Sequence, residues 1–410
     1  MPYLHLSHPS VPRALRVPTL VDAHGVPRYW ANVWSTMCLG HLADSTKTAK
    51  LRQLETLYTH ADRMLGPSGL DNALSRQDHT VLADTLESWF VSIRNRAPGS
   101  RSDELRWNTG LAFVTNISAW LTKATNAPSD ERSRAARIHR LGTLYSQLHV
   151  AKSFSSDAVR SLPANVVQAL YELLDPTSAI NPFKHPSTRW RLYLAFTLML
   201  HQGLRRGELL ILPVDCVKSG VDYRTQNRRY WINVQQHEYD DDGDAFDPRY
   251  SRPSVKTASS IRQIPVSATM ARLVQTYTDN YRGRPDHPYL INSYKDRPLA
   301  TESLTKAFRT ISAALPELAA SELFDRCNKT SVTPHDLRHT CAVVRLNQLI
   351  SAGDSMDEAL QKMRTFFGWS RTSTMPSRYS RAVFEDRLAG VWNDSFDDRV
   401  ALIRAIPRAE

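Results

Sequence analysis

A chain of 410 residues is long enough for two or three domains at roughly 150 residues each. Its 41% hydrophobic and 23% charged content exclude a chain disordered throughout, and its longest apolar-rich stretch, Trp190 to Leu200, falls short of the roughly 18 residues of a membrane span. The 52 basic residues outnumber the 41 acidic ones, a net of +11, so a polyanion is a natural partner.

In chain order, residues 1–40 are proline-punctuated and only weakly periodic, and read as an N-terminal extension. Leu51, Leu54, Leu57, Tyr58, Ala61 and Leu65 then recur at helical spacing up to a stop at Gly66-Pro67. A second helix is marked by Val81, Leu82, Leu86, Trp89, Phe90 and Ile93. A third is marked by Leu111, Val114, Ile117 and Leu121, and a fourth by Ile138, Leu141, Leu144, Tyr145 and Leu148. Four amphipathic helices predict a compact helical domain over 41–150, with Lys47, Lys50, Arg52 and Arg94 among the charges on its solvated faces. The small, polar stretch 151–164 reads as a linker. Val166 to Leu174 opens a new helix, and a long apolar helix near 188–202 ends at Gly203. Tyr230 to Val234 and Arg262 to Val266 are short β-type runs that predict a small antiparallel sheet. Helical periodicity returns from about residue 300 and continues past 390. The expected fold is mainly α with a small antiparallel β-sheet, with a second domain over 165–385 and a C-terminal tail, 386–410.

Charge is spread along this plan. Residues 1–160 hold 19 basic and 13 acidic residues, and the remainder hold 33 and 28, so both halves are basic. The opening residues have no continuous apolar core and do not read as a secretory signal. Cys38, Cys216, Cys327 and Cys341 lie too far apart for a zinc or redox spacing, so a reducing cytoplasm is the expected setting.

Four motifs carry possible chemistry. In Gly203-Leu204-Arg205-Arg206-Gly207-Glu208, a turn glycine delivers Arg205 to a helix start, and Glu208 follows at the i,i+3 spacing that lets a carboxylate hold a guanidinium. In Pro334-His335-Asp336-Leu337-Arg338-His339, His335 and Arg338 share a helical face and can both donate to one phosphate. The His335–His339 spacing invites a zinc reading, but Asp336 stands where the zincin pattern needs Glu, and no third ligand is nearby. His339 and Cys341 read instead as packed or hydrogen-bonded core residues. Phe366-Phe367-Gly368-Trp369 precedes a Ser/Thr-rich connection to Tyr379. Lys256 lies just before the run Arg262 to Pro265, at a β-turn from which it can reach a bound duplex. The acidic stretch His237 to Asp247 superficially resembles a calcium loop, but the twelfth position from Glu238 is Arg249, so it reads as solvated.

Together these motifs resemble the tyrosine recombinase, or phage integrase, family, over roughly 160–385 and more weakly over 41–150. Arg205, Lys256, the pair His335 and Arg338, Trp369 (where the family usually has His) and Tyr379 match its signature in order. Three features depart from it: Trp369 donates only through its indole N–H, nine residues separate it from Tyr379, and His237 to Asp247 is an acidic insertion in the sheet. The resemblance implies a two-domain C-shaped clamp, a helical core-binding domain plus a catalytic domain, closed on double-stranded DNA. It implies site-specific recombination through a 3′-phosphotyrosyl intermediate without metal, cofactor or ATP. Tyr379 would be the nucleophile and Lys256 the general acid. Arg205, Arg338, His335 and Trp369 would stabilise the phosphorane, with His335 a candidate base and Glu208 and His339 in support. It implies a monomer in solution and a tetramer on DNA, with an accessory protein or second recombinase as a further partner, in the cytoplasm at the nucleoid. A type IB topoisomerase, a telomere resolvase and a DNA-binding relative without catalysis stay open as alternatives.

Overall fold

The computed structural model describes residues 3–5, 10, 18–95, 101–123, 142–149, 161–223, 226–236, 249, 253–255, 258–380 and 383. Packing divides the chain into two units, Met1–Ser156 and Asp157–Glu410.

The first unit opens on a two-stranded antiparallel ribbon, β1 (Tyr3–His5) with β2 (Pro18–Leu20). Helices α1 (Tyr29–Met37), α2 (Asp44–Leu65), α3 (Gly69–Ser75), α4 (His79–Arg94) and α5 (Arg101–Lys123) follow, and residues 142–146 form α6. The predicted apolar stripes face inward: Leu51, Leu54, Leu57, Tyr58 and Ala61 of α2 meet Leu82, Leu86 and Trp89 of α4 and Trp107, Phe113 and Ile117 of α5. The Asp78 carboxylate accepts from the Val81 backbone N–H at 3.1 Å and so starts α4. Three details differ from expectation. Helix α5 begins about ten residues before its first predicted apolar position. The segment set apart as an extension supplies Leu20, Trp30, Ala31, Trp34 and Leu39 to the same core. Lys47 is buried rather than solvated, and its ammonium pairs with Asp44 at 3.4 Å.

The second unit contains α7 (Ala164–Leu174), α8 (Pro186–Gln202) and α9 (Arg206–Leu210). A three-stranded antiparallel sheet follows, ordered β3 (Val217–Val221), β4 (Arg228–Val234), β5 (Arg262–Val266). Then come α10 (Ala268–Asn280), α11 (Thr301–Ala313), α12 (Glu317–Cys327), α13 (Pro334–Ser351) and α14 (Met356–Phe367). Residues 375–380 are again helical. Strands β4 and β5 occupy the two predicted runs, and Ile232 pairs with Ile264 on the buried face. Pro265 is tolerated because β5 is an edge strand.

Helix α13 starts with Pro334 and with Asp336, whose Oδ2 accepts from the Thr333 N–H and Oγ1 at 2.8 Å each. Helices α8 and α14 both stop at a left-handed glycine, Gly203 and Gly368, each at φ +59°. These stops aim the connections that follow at one place. Beside the main core, a smaller cluster joins Cys341, Ala342 and Leu346 of α13 to Met363 and Phe367 of α14, and to Trp369, Tyr379 and Val383. It is the floor of the site. Among the described residues, no helix is long and apolar enough to cross a membrane.

Candidate active site

Glu208 organises the centre. Its side chain is 1% exposed, and its Oε2 accepts the Arg205 backbone N–H at 2.9 Å, closing the first turn of α9. Three guanidinium groups converge on it. Arg205 donates to Oε1 at 2.5 Å, Arg262 forks onto both oxygens at 3.1 and 3.0 Å, and Arg338 Nη1 stands 3.7 Å from Oε2. Arg205 also donates to Ser260 Oγ at 3.0 Å, tying α9 to the turn Ala258–Ser260. Arg262 donates to the carbonyls of Ser260 and Phe366 at 2.7 Å each. Arg338 donates to the carbonyls of Gly203 and, at 2.8 Å, Phe367, the last turns of α8 and α14. Only Arg205 faces solvent appreciably: its side chain is 23% exposed, against 4% for Arg262 and 2% for Arg338.

Tyr379 reaches this centre through a column of rings. Arg338 lies over the Phe367 ring, 4.9 Å from its centroid. Phe367 stacks on Trp369 at 4.9 Å and 12°, and Trp369 stacks on Tyr379 at 5.2 Å and 13°. The Tyr379 hydroxyl and His339 Nδ1 are hydrogen-bonded at 2.5 Å. His335 is exposed at the opening of the site, and its ring meets that of His339 edge-on at 4.1 Å.

The structure therefore brings Arg205, His335, Arg338, Trp369, Tyr379, Glu208 and His339 together. Lys256 and the acidic stretch 237–247 lie outside the described residues. The two residues before Lys256 are in place: the Val255 N–H donates to Gln236 at 3.0 Å, and a Cβ on Gly207 would stand 3.1 Å from the Ser254 carbonyl. Sequence reasoning left Arg262, Ser260 and Lys329 unassigned. Lys329 pairs with Asp336, which starts α13. Arg262 stood within the quoted Lys256 motif, but nothing local ties it to a carboxylate 54 residues earlier.

Residues 160–385 match the phage integrase family. The chain belongs to the phage integrase family. Its second unit thus carries a tyrosine recombinase catalytic domain, which cleaves and rejoins DNA, and the protein is a tyrosine-type site-specific recombinase acting on DNA. Among solved structures it is similar to the XerH site-specific recombinase bound to difH substrate in a pre-cleavage complex. That match has 13% identity and a TM-score of 0.46, over 89% of this chain and 84% of that one. No curated protein matches the chain.

The electrostatics of this integrase-family site favour a bound anion. Burial alone would raise the Glu208 carboxyl; hydrogen bonding and charge from Arg262, then Arg338 and Arg205, outweigh it and hold Glu208 below the usual carboxylate range. Burial, then the charge of Arg205, brings Arg338 down to about 9, and three guanidinium groups around the one Glu208 carboxylate leave the nest with excess positive charge. Partial desolvation at the mouth of the site, and then the charge of Arg338, lowers His335. Burial, followed by His335, lowers His339 to about 4. Burial raises the Tyr379 phenol, while the charges of Arg338 and then Arg205 pull it the other way. Among the described residues, no group of three or more His, Cys, Asp or Glu side chains gathers as a metal site.

Proposed function

We propose that Tyr379 attacks a DNA phosphodiester seated on Arg205, Arg338 and His335, leaving a 3′-phosphotyrosyl bond and a free 5′-hydroxyl. One observation supports the reading: Arg338, which shares Glu208 with Arg205, lies 4.9 Å from the centroid of the Phe367 ring, and Phe367, Trp369 and Tyr379 stack in succession at 4.9 and 5.2 Å. A five-coordinate phosphorus gains a second negative charge, and preorganised guanidinium groups stabilise it without reorganising. Arg205 presents the open face, Arg338 the buried one, and Trp369 adds an indole N–H. Lys256, on the connection between β4 and β5, protonates the departing 5′-oxygen. One phosphoester replaces another, so the step is reversible, and attack by the 5′-hydroxyl of a partner duplex exchanges strands. The exchange takes place between two double-stranded sites in a synapse of four protomers, assembled from monomers in the cytoplasm. Residues 1–160, with their basic excess, hold the duplex from the helical domain.

A nicked suicide duplex tests the assignment. The native protein should accumulate a covalent adduct, and Tyr379→Phe should bind the same duplex and form none. An adduct that survives Tyr379→Phe removes Tyr379 as the nucleophile.

A further inference from the structure

The phenol must lose a proton as it attacks, and its surroundings indicate where that proton goes. Tyr379 is 1% exposed, so its hydroxyl has almost no access to water. Among the described residues its hydrogen bond runs to His339 Nδ1 at 2.5 Å. A buried phenol that did not donate there would leave its proton unsatisfied, at a cost of roughly 1–3 kcal/mol. Nδ1 is therefore the acceptor, and the ring carries its own hydrogen on Nε2. His335, the more obvious base by motif, makes ring contact with His339 but no hydrogen bond to the phenol.

We infer that His339 is a catalytic residue, the proton acceptor for the Tyr379 hydroxyl. This rests on Tyr379 being the nucleophile. The Tyr379 O–H bond breaks as the Oη–P bond forms, and the proton passes to His339 Nδ1. The P–O5′ bond breaks, and the leaving oxygen takes its proton from Lys256. In the return step the attacking 5′-hydroxyl gives its proton to Lys256, and His339 returns the proton to the phenolate.

The groups round His339 make this acceptor respond to substrate. It faces His335, Asp336 and Arg338 of its own helix, Lys329 from the preceding loop, and Tyr379 from the segment after α14. Burial, His335, Lys329 and Arg338 lower its basicity and Asp336 raises it, so the resting ring is neutral and able to accept. A phosphodiester seated on the same cations offsets their charge. The ring then becomes a stronger base when DNA occupies the site.

The test separates proton transfer from packing. His339→Asn places an amide oxygen near the Nδ1 position, where it can accept the hydrogen bond but not the proton. Single-turnover cleavage of the suicide duplex should fall by about 10²–10³-fold, with duplex affinity unchanged. Installing 3,5-difluorotyrosine at position 379 provides a more acidic phenol. It should shrink the gap between native and His339→Asn proteins to a few-fold, and leave the defect of His335→Asn in place. Equal cleavage by native and His339→Asn proteins overturns the inference, as does a gap that the fluorinated phenol leaves unchanged. If His339→Asn does not fold, as judged by circular dichroism, His339→Gln carries the same comparison. A native protein that forms no adduct would instead overturn the Tyr379 assignment.

Discussion

Replacing Glu208 by Gln removes the charge that three guanidinium groups share, with almost no change in volume. Glu208 is 1% exposed and lies within 2.5–3.7 Å of Arg205, Arg262 and Arg338. At an effective dielectric constant of about 20, charges 3–4 Å apart attract by about 4–6 kcal/mol each, and desolvating the carboxylate cancels several kcal/mol of the total. Removing one partner of a buried pair costs about 3–5 kcal/mol, since the others stay buried without compensation. For a unit of this size that lowers the melting temperature by roughly 6–20 °C. Urea unfolding of the full chain should show an earlier midpoint for the second unit at unchanged slope. Adding Arg262→Met removes one uncompensated cation and should recover part of the loss, a coupling readable from the double-mutant cycle. A loss below about 1 kcal/mol with cleavage intact would refute the view of Glu208 as the hub.

Gly203→Ala should be severe, because its Cβ would stand 2.3 Å from a ring carbon of the fully buried Phe367, at φ +59°. Left-handed strain and overpacking together predict a loss of roughly 2–4 kcal/mol by denaturant titration, with cleavage falling as well. Arg338→Ala should abolish cleavage while leaving duplex affinity largely intact in a gel-shift titration. Stability should also fall as pH drops from about 6.5 to 4. His339 and His287 are both lowered to about 4, so the folded state binds fewer protons than the unfolded chain across that window. Each ring's contribution is fully present above the unfolded value of about 6.5 and lost on acidification through about 4. Unfolding midpoints at pH 7.5 and 5.0 check the sign, and His287→Gln should flatten the difference.

Much of the catalytic unit was readable because its signals are local. Gly203, Arg205 and Glu208 lie within six residues, and His335 and Arg338 within one turn, so spacing alone put them on shared faces. The alternation of β4 and β5 was visible for the same reason. Strand β3, Val-Lys-Ser-Gly-Val, carries no such pattern because neither of its faces is fully buried. Long-range partners left no trace in the sequence. The fork of Arg262 onto Glu208 spans 54 residues, and the hydrogen bond from Tyr379 to His339 spans 40. His339 looked like core because its role depends on which ring folds back over it. Lys47 looked like surface because a lysine stem packs like an aliphatic chain.

Arg338 also serves two masters. Of the five N–H groups a guanidinium carries, Nη1 and Nη2 are already committed to the carbonyls of Gly203 and Phe367, where two helices end with their negative poles toward it. The side chain that would meet the phosphate is thus also the rivet joining α8 to α14. A lysine there would keep the charge but could not bridge both carbonyls in the same plane. Loss of cleavage on mutating this position therefore mixes a missing phosphate contact with a loosened joint, and only a melting curve run beside the rate measurement separates them.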